Sequence, residues 1–553
     1  MGKRGLAEEL TALVKGDVEN TAEVLETYSR DASLFVVRPE VVVYPKDVED
    51  IQTIVRYVRR EREAGSSVNL TARAAGTDMS GGPLGNSIIL DVTRYLNKFI
   101  ELTPGCAVVE PGMYFRDFDK KTKAEGYLLP SYTASREICT VGGMVANNSG
   151  GEKNLKYGKT ANYVEEVDMV LADGNLRTFA SLDAHELAQK CDQSDFEGQI
   201  YRELRELLER HEGVIERARP KVTKNSAGYA LWGVKQSGGK FNIAQLIVGS
   251  QGTLGIITKI KFRLVEPKPH SAMAIIFLPT LKHLGTLVTS VLAHDPESFE
   301  SYDDHTFALA VKYFPEFATQ MKSNMVKLGF SFLPEVWMAM TGGVPKLILL
   351  VEFAGNNAYE AETKARKLAY EIRHKYHLSV KIARNEREAR KYWVVRRESF
   401  NLLRKKVRGL RTAPFIDDFV VPPGKLPEFF PKLEHLLSHY KITYTIAGHV
   451  GDGNFHIIPL VDPKDPCTAP MIDALSHTVY DLVIAFGGSI SGEHNDGLIR
   501  TPYIGKMFGF EMVKLFERVK SIFDPLGMFN PGKKVGTNFE QAYKHLDLAG
   551  VRR

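Results

Sequence analysis

Apolar residues recur along this chain in two alternating rhythms, one suited to strands and one to helices. Glu40-Val-Val-Val-Tyr-Pro45 is short and β-branched, as a buried strand requires, and the following VEDIQTIVRYVRREREAG carries helical spacing over 48–65. Residues 5–30 also keep helical spacing. From Leu34 to about Val265, strand-like runs alternate with helix-like stretches and glycine-rich turns, and the stiff Glu266-Pro-Lys-Pro269 marks a boundary. Beyond it, strands such as KLILLVEFAG alternate with long charged helices such as NAYEAETKARKLAYEIRHKYH. Helices are expected near 470–486 and from about 509 to 523. The pattern predicts an α+β protein in four parts: a helical segment over 1–34, a domain over 35–266, a second over 267–420, and a C-terminal part over 421–553.

The C-terminal part contains the octet His449-Val-Gly-Asp452-Gly453-Asn-Phe-His456 between the strand-like TYTIAGHV and FHIIPLV. Asp-Gly favours a two-residue hairpin turn. Counting outward from it pairs His449 with His456 and projects both imidazoles from one face, with Cβ atoms roughly 4.5–5.5 Å apart. Such a pair suits one divalent metal ion, because imidazole is the commonest ligand of zinc-like ions.

Length and charge narrow the function. A chain of 553 residues exceeds one ordinary core, and 44% hydrophobic with 25% charged residues is globular composition. The 72 basic residues nearly balance 67 acidic ones, leaving +5, which argues against nucleic acid as a partner. The one basic run, Arg404-Lys405-Lys406 with Arg408 and Arg411, reads as a solvated face with at most a weak peripheral contact to anionic lipid. Cys106, Cys139, Cys191 and Cys467 are scattered without CxxC spacing, so neither an iron–sulfur cluster nor a disulfide framework is expected. The first twenty residues lack the apolar core of a secretory signal, and no run of ~18 apolar residues occurs, so a cytoplasmic protein is expected.

Three segments are dense in glycine and small residues: Arg73-Ala-Ala-Gly76-Thr77-Asp-Met-Ser80-Gly81-Gly82, Thr140-Val-Gly142-Gly143-Met-Val-Ala-Asn147-Asn148-Ser149-Gly150-Gly151, and Val248-Gly249-Ser-Gln-Gly252-Thr253-Leu-Gly255. Glycine lets backbone N–H groups crowd around phosphate oxygens. None of the three fits the dinucleotide fingerprint G-x-G-x-x-G or the P-loop.

The ordered motifs RAAGTDMSGG, LLPSYTASREICTVGGMVANNSGG, LKYGKTANYVEEVDMVLADG, KNSAGYAL and VGSQGTLGIIT resemble the FAD domain of the vanillyl-alcohol oxidase / p-cresol methylhydroxylase flavoproteins. HVGDGNFH, SGEHNDG and FDPLGMFNPGK resemble one branch of it, that of FAD-linked D-lactate dehydrogenases, glycolate oxidase catalytic subunits and D-2-hydroxyglutarate dehydrogenases. The resemblance runs from about residue 35 to 535. It implies a two-subdomain FAD-binding domain at 35–266, a substrate or cap domain at 267–420, and a C-terminal part that returns to the flavin with a metal hairpin and a catalytic loop. By the same resemblance, Arg73, Ala74, Ala75, Gly76, Thr77, Asp78, Ser80 and Gly81 wrap the FAD pyrophosphate. Pro130, Thr133, Thr140, Gly142, Gly143, Asn148, Gly150 and Tyr157 run along the flavin, Gly252, Gly255 and Ile257 close over it, and Asn530 completes the set. Thr77 stands where some members carry a flavin-linking histidine, which implies noncovalent FAD. Gln251 and Asn495 depart from the family pattern of Glu and Gly.

Oxidising a 2-hydroxy acid requires a grip on the carboxylate, acidification of the hydroxyl and a hydride aimed at the flavin. One divalent metal (Zn, Mn or Fe) serves the first two. The resemblance makes Glu493 the third ligand beside His449 and His456, and makes His494 the general base. Neighbouring strand residues point oppositely, so both reach one site only if the chain bends, as Gly492 and Asn495-Asp496-Gly497 allow. The segment Tyr392-Trp393-Val-Val-Arg396-Arg397 resembles the family's carboxylate-binding stretch, with the choice between the two arginines open. Lys224, Asn225 and Tyr229 align with a motif near the flavin whose role the sequence does not assign. The expected activity is FAD- and metal-dependent oxidation of a D-2-hydroxy acid of the D-lactate, glycolate or D-2-hydroxyglutarate type. Electrons would pass to a quinone, cytochrome or electron-transfer flavoprotein, with room for an iron–sulfur partner subunit and a homodimer. The competing readings are an oxygen-using alcohol oxidase and an alkylglycerone phosphate synthase-like enzyme.

Overall fold

The computed structural model describes residues 5–307, 345–406 and 409–547. Of the basic run, Arg408 and the side chains of Arg404, Lys405 and Lys406 lie outside the described residues, whereas Arg411 pairs with Asp547 at 2.5 Å. No helix among the described residues is long and apolar enough to cross a membrane.

Helices and strands mix as α+β layers around three sheets. The first joins β1 (Asp17–Glu19), β2 (Val41–Tyr44), β3 (Leu70–Arg73) and β4 (Ile88–Asp91) in the order β1-β2-β4-β3, with parallel pairing at β2/β4 and β3/β4. Helix Val48–Glu63 covers it. Asp47 caps the helix by accepting from Asp50 N, and Ile51, Ile54, Val55 and Val58, spaced along one face, pack on Val41, Val43, Leu70, Ile88 and Leu90. The second sheet orders β5 (Phe99–Thr103), β6 (Cys106–Val109), β7 (Val164–Val170), β8 (Leu176–Leu182), β9 (Phe241–Asn242) and β10 (Ile256–Arg263) as β5-β6-β10-β7-β8-β9. Along β10, buried Ile256, Thr258, Ile260 and Phe262 alternate with less buried neighbours, the signature of one covered face.

The third sheet carries the chemistry. It comprises β11 (His270–Leu278), β12 (Ser298–Asp303), β13 (Leu347–Gly355), β14 (Ser379–Ile382), β15 (Arg411–Thr412), β16 (Phe419–Val420), β17 (Thr443–His449) and β18 (Asn454–Val461). The order is β14-β11-β13-β12-β17-β18-β15, with β16 paired to β18. The run Leu347–Val351 is apolar at every position because both faces are covered. Leu347, Leu349 and Val351 meet helices Leu284–Leu292 and Ala358–Tyr376, while Ile348 and Leu350 meet Tyr392, Trp393 and Val395 of helix Glu386–Lys406. The sheet runs on across residue 420. Through the β12/β17 ladder the histidine hairpin is hydrogen-bonded into the domain that precedes it.

The hairpin itself corrects the sequence expectation. His449 pairs with Asn454, and Ala447 with His456, so the connection is the four residues Val450–Gly453 and the turn is not a two-residue Asp-Gly turn. Tertiary contacts override the local preference. Asp452 is buried 3.6 Å from Lys224 instead of standing at an exposed tip, and Gly453 takes φ 68° with its carbonyl accepting from Val421 N at 2.9 Å. Because 447 and 449 share a face, the two imidazoles still meet as diagonal neighbours, with ring centroids 5.4 Å apart. A Cβ on Gly453 would lie 1.9 Å from Val421 O. Gly453→Ala therefore meets both left-handed strain and a backbone clash, and is expected to lower stability by about 3 kcal/mol, read as a lower midpoint in thermal unfolding.

Candidate active site

The three glycine-rich segments converge on one elongated cavity of about 1290 Å³, open mouth included. One wall is the loop from Ala72 to Pro83. Asp78 pins it, its Oδ2 accepting from Ser80 N and Gly82 N and its Oδ1 from Asn147 Nδ2 at 2.6 Å. Another wall is helix Val141–Asn147, capped by Thr140. Gly142 lets its first turn sit directly on Pro111, where a Cβ would lie 2.6 Å from the carbonyl oxygen. Gln251, Gly252, Gly255 and Ile257 form a third side, and Glu493 and His494 close one end.

Fourteen residues assigned to the cofactor by resemblance line this cavity: Arg73, Ala74, Ala75, Gly76, Thr77, Asp78, Thr133, Thr140, Gly142, Gly143, Gly150, Gly252, Gly255 and Ile257. The other six stand behind its walls. Ser80 donates to Asp78, Gly81 N to Asp31, Asn148 accepts from Ala161 N, Tyr157 donates to Glu297, Asn530 bridges the Gly82 and Gln251 carbonyls, and Pro130 does not reach the lining. Sequence reasoning passed over Pro111, which is also on the lining, beside Ser135, Cys139 and Asn147 of the motifs. The two departures from the family pattern meet at the same seam. Gln251 Oε1 accepts from Gly497 N at 2.8 Å, and Asn495, at φ 68°, donates to the carbonyls of Asn147 and Gly249.

At the closed end, Glu493 Oε1 lies 3.2 Å from His449 Nε2 and 3.3 Å from His456 Nε2. His494 Nε2 stands 4.0 Å from the same oxygen, and its ring stacks on His456 at 5.0 Å. Each imidazole is oriented from behind by a carboxylate. His449 Nδ1 lies 2.5 Å from Glu300 Oε1, His456 Nδ1 3.1 Å from Asp417 Oδ1, and His494 Nδ1 2.7 Å from Asp417 Oδ2. A carboxylate on Nδ1 sets which ring nitrogen faces inward, as in metal-binding and general-base histidines.

Asp418 supplies the bend that brings Glu493 and His494 to one place. Held at φ 67°, it accepts from Glu493 N at 2.9 Å, His494 N at 2.7 Å, Ser491 Oγ and Asn454 Nδ2. Asp418, His456, Glu493 and His494 also have ligand atoms within 4.8 Å of one another. The Asp418 oxygens, however, are occupied by backbone and side-chain donors. His449, His456 and Glu493 are thus the better donor set for a cation: two imidazoles and a carboxylate that converge from oriented side chains. Arg500, fully buried, holds the loop from the other side by donating to the carbonyls of Asn495 and Asp417.

Charge follows this geometry. Burial works against the Asp417 carboxylate, yet His494 and His456 hold it below the usual range. Burial likewise opposes the charged form of His456, but Asp417 and Glu493 push it up to about 10. Desolvation would raise Glu493, and Lys224 and His449 hold it well below its ordinary value. Neither Asp417-Asp418 nor Glu300 was singled out from sequence. Their signal was there, since both acids interrupt the apolar run Phe415–Val421 and Glu300 interrupts a strand, and a charge inside such a run is buried for a purpose.

The two arginines separate. Arg397 donates Nε and an Nη to both oxygens of Glu152, at 3.0 and 2.5 Å. Arg396 pairs with Glu300 at 3.2 Å and keeps a buried Nε without a partner among the described residues.

Comparison with known proteins agrees with this layout. Residues 39–180 match an FAD binding domain, and residues 267–534 match the C-terminal domain of FAD linked oxidases. The chain thus carries the two domains matched in FAD linked oxidases. It is 29% identical over 524 residues to a D-2-hydroxyglutarate dehydrogenase of Pseudomonas putida, covering 93% of this chain and 49% of that protein. It is 26% identical to a D-lactate dehydrogenase of Archaeoglobus fulgidus, covering 90% of this chain and 91% of that one. A glycolate oxidase subunit GlcD of Bacillus subtilis is also 26% identical, with 92% and 91% covered. The chain spans about half the length of the hydroxyglutarate dehydrogenases it matches. In fold it is similar to p-cresol methylhydroxylase, with TM-score 0.68 at 15% identity over 97% of this chain and 96% of that one. It is also similar to an alkyldihydroxyacetonephosphate synthase, with TM-score 0.63 at 15% identity over 95% and 84%.

Proposed function

We propose that this chain catalyses FAD- and divalent-metal-dependent oxidation of a D-2-hydroxy acid, of the D-lactate, glycolate or D-2-hydroxyglutarate type, to the 2-oxo acid. The observation that carries the reading is the convergence of His449, His456 and Glu493 at the end of a glycine-lined cavity. The residues fit FAD held noncovalently, with small side chains along both walls and Thr77, not a histidine, on the first loop. FAD bound there would accept the hydride. A zinc-like ion on His449, His456 and Glu493 would act as a Lewis acid toward the substrate's hydroxyl and carboxylate.

The protein's own groups do the rest. His494, fixed through Nδ1 by Asp417, presents Nε2 to the site and takes the hydroxyl proton. Arg396, with a free Nε and Glu300 holding one side of its fork, is the better carboxylate ligand, because Arg397 is already committed to Glu152. A quinone, cytochrome or electron-transfer flavoprotein would serve as the electron acceptor. The fold is shared with an alkyldihydroxyacetonephosphate synthase, but the two-histidine hairpin facing Glu493 favours a dehydrogenase over that activity.

Anaerobic mixing with D- and L-hydroxy acids tests the reading. The flavin absorbance should bleach with a D-acid only, the response should vanish after chelation, and Zn²⁺ or Mn²⁺ should restore it. Purified protein that carries no flavin, or bleaches equally after exhaustive chelation, would refute it. A second expectation concerns pH. Burial lowers the affinity of His494 for a proton, but Asp418 and Asp417 more than offset it and raise its pKa above 6.5. Since the base must be neutral, the reduction rate should climb with pH above 6.5 and flatten higher. His494→Ala should remove that limb and slow reduction by roughly 10²–10⁴-fold with FAD retained. Finally, Arg396→Ala should raise KM by on the order of 100-fold at parental FAD content. Arg397→Ala should instead act mainly on thermal stability, because it removes the two-bond partner of the half-buried Glu152 and leaves it only Arg136 and Tyr132.

A further inference from the structure

Glu493 does not use its two oxygens alike. Oε1 faces His449 and His456, while Oε2 lies 3.2 Å from the ammonium of Lys224, a side chain only 1% exposed. Lys224 is held there from all sides. Its Nζ is 3.3 Å from Asn454 Oδ1 and 3.6 Å from Asp452 Oδ2, both on the histidine hairpin. The segment that carries it is tied down too, with Thr223 donating to the Asp452 carbonyl, Ser226 N to Ser491 O and Gly228 N to Asp496 Oδ2. A lysine buried this deeply persists only when its charge has a fixed partner.

We propose that Lys224 is a positioning residue that keeps Glu493 a one-oxygen ligand and so preserves room for a two-oxygen substrate at the metal. The inference rests on the metal-dependent reading above. A 2-hydroxy acid offers hydroxyl and carboxylate oxygens together. With one atom from each of His449, His456 and Glu493, the chelating acid brings a zinc-like ion to five donors, a number it accepts. If Oε2 were released, Glu493 could turn both oxygens to the ion and compete with the acid for its place. Lys224 blocks this by occupying Oε2, and its positive charge also opposes tight metal binding. Its loss therefore has an unusual signature: the metal holds at least as well, while the chelating ligand holds less well.

Oxalate is a suitable probe, because it binds through two oxygens and cannot reduce flavin, and acetate is the one-carboxylate control. In the FAD-loaded full chain, Lys224→Met should leave zinc affinity, measured by chelator competition, equal to or tighter than that of the parent. Oxalate affinity, read from the flavin spectrum or calorimetry, should fall by about 10- to 100-fold with acetate little changed, a size usual for residues behind metal ligands. Lys224→Gln, which retains a donor for Oε2, should lie between. It decides the matter by the same criteria if the methionine variant does not fold. Parallel loss of zinc and oxalate would mark a merely structural lysine, and loss of neither would mark an idle one; both outcomes overturn the proposal while leaving the dehydrogenase reading intact. A parent chain that takes up no zinc-like ion would instead bring down the metal reading, and this inference with it.

Discussion

Buried carboxylates are the constraint on which the catalytic end is organised. Asp417 and Asp418 lie in an apolar run, cut off from water, so each oxygen needs a donor from the protein. Asp418 takes the amides of Glu493 and His494 and accepts left-handed backbone to do so. Asp417 hydrogen-bonds the His456 imidazole through Oδ1 and pairs by charge alone with that of His494, 2.7 Å from its Oδ2. Two neighbouring acids thereby fix both the bend of a loop more than seventy residues away and the ring orientation of two histidines. Such a network is costly if half-made and specific when complete, which is why its members have so little freedom.

The same logic extends to the cations. Lys224, Arg500, Lys159 and Lys534 are all buried, and each bonds to a loop that shapes the site. Lys159 donates to Gly492 O at 2.7 Å, and Lys534 to Asp496 Oδ2 at 2.9 Å. Charge of both signs is withdrawn from solvent around one loop. The apolar cores of the sheets stabilise the fold, while this polar seam sets the position of Glu493 and His494.

Much of this was legible in the sequence. The double rhythm of apolar residues conveyed the α+β layering, and the clustered glycines marked the loops that line the cavity, since small residues are needed where backbone must approach a ligand. The pairing of the histidines was legible only in part. Their shared face followed from strand periodicity, but the register did not, because the burial of Asp452 against Lys224 outweighs the intrinsic preference of Asp-Gly. Glu300 and Asp417 were missed for a related reason. Their burial could be read from charges set inside apolar runs, but their partners depend on strands distant in sequence lying side by side. The two adjacent arginines were indistinguishable until their partners, Glu300 and Glu152, could be seen.

The shared ladder between β12 and β17 has a consequence for motion. Glu300, His449 and His456 lie on one hydrogen-bonded sheet, and the helix bearing Arg396 packs on its face, whereas the glycine-lined walls belong to the other half of the molecule. The two halves are nonetheless stitched together at the loop that carries Glu493: Lys224 reaches its Oε2, Lys159 the Gly492 carbonyl, and Asn495 the carbonyls of Asn147 and Gly249. Displacing one half against the other therefore strains that loop before it opens the cavity, so the seam acts as a mechanical stop.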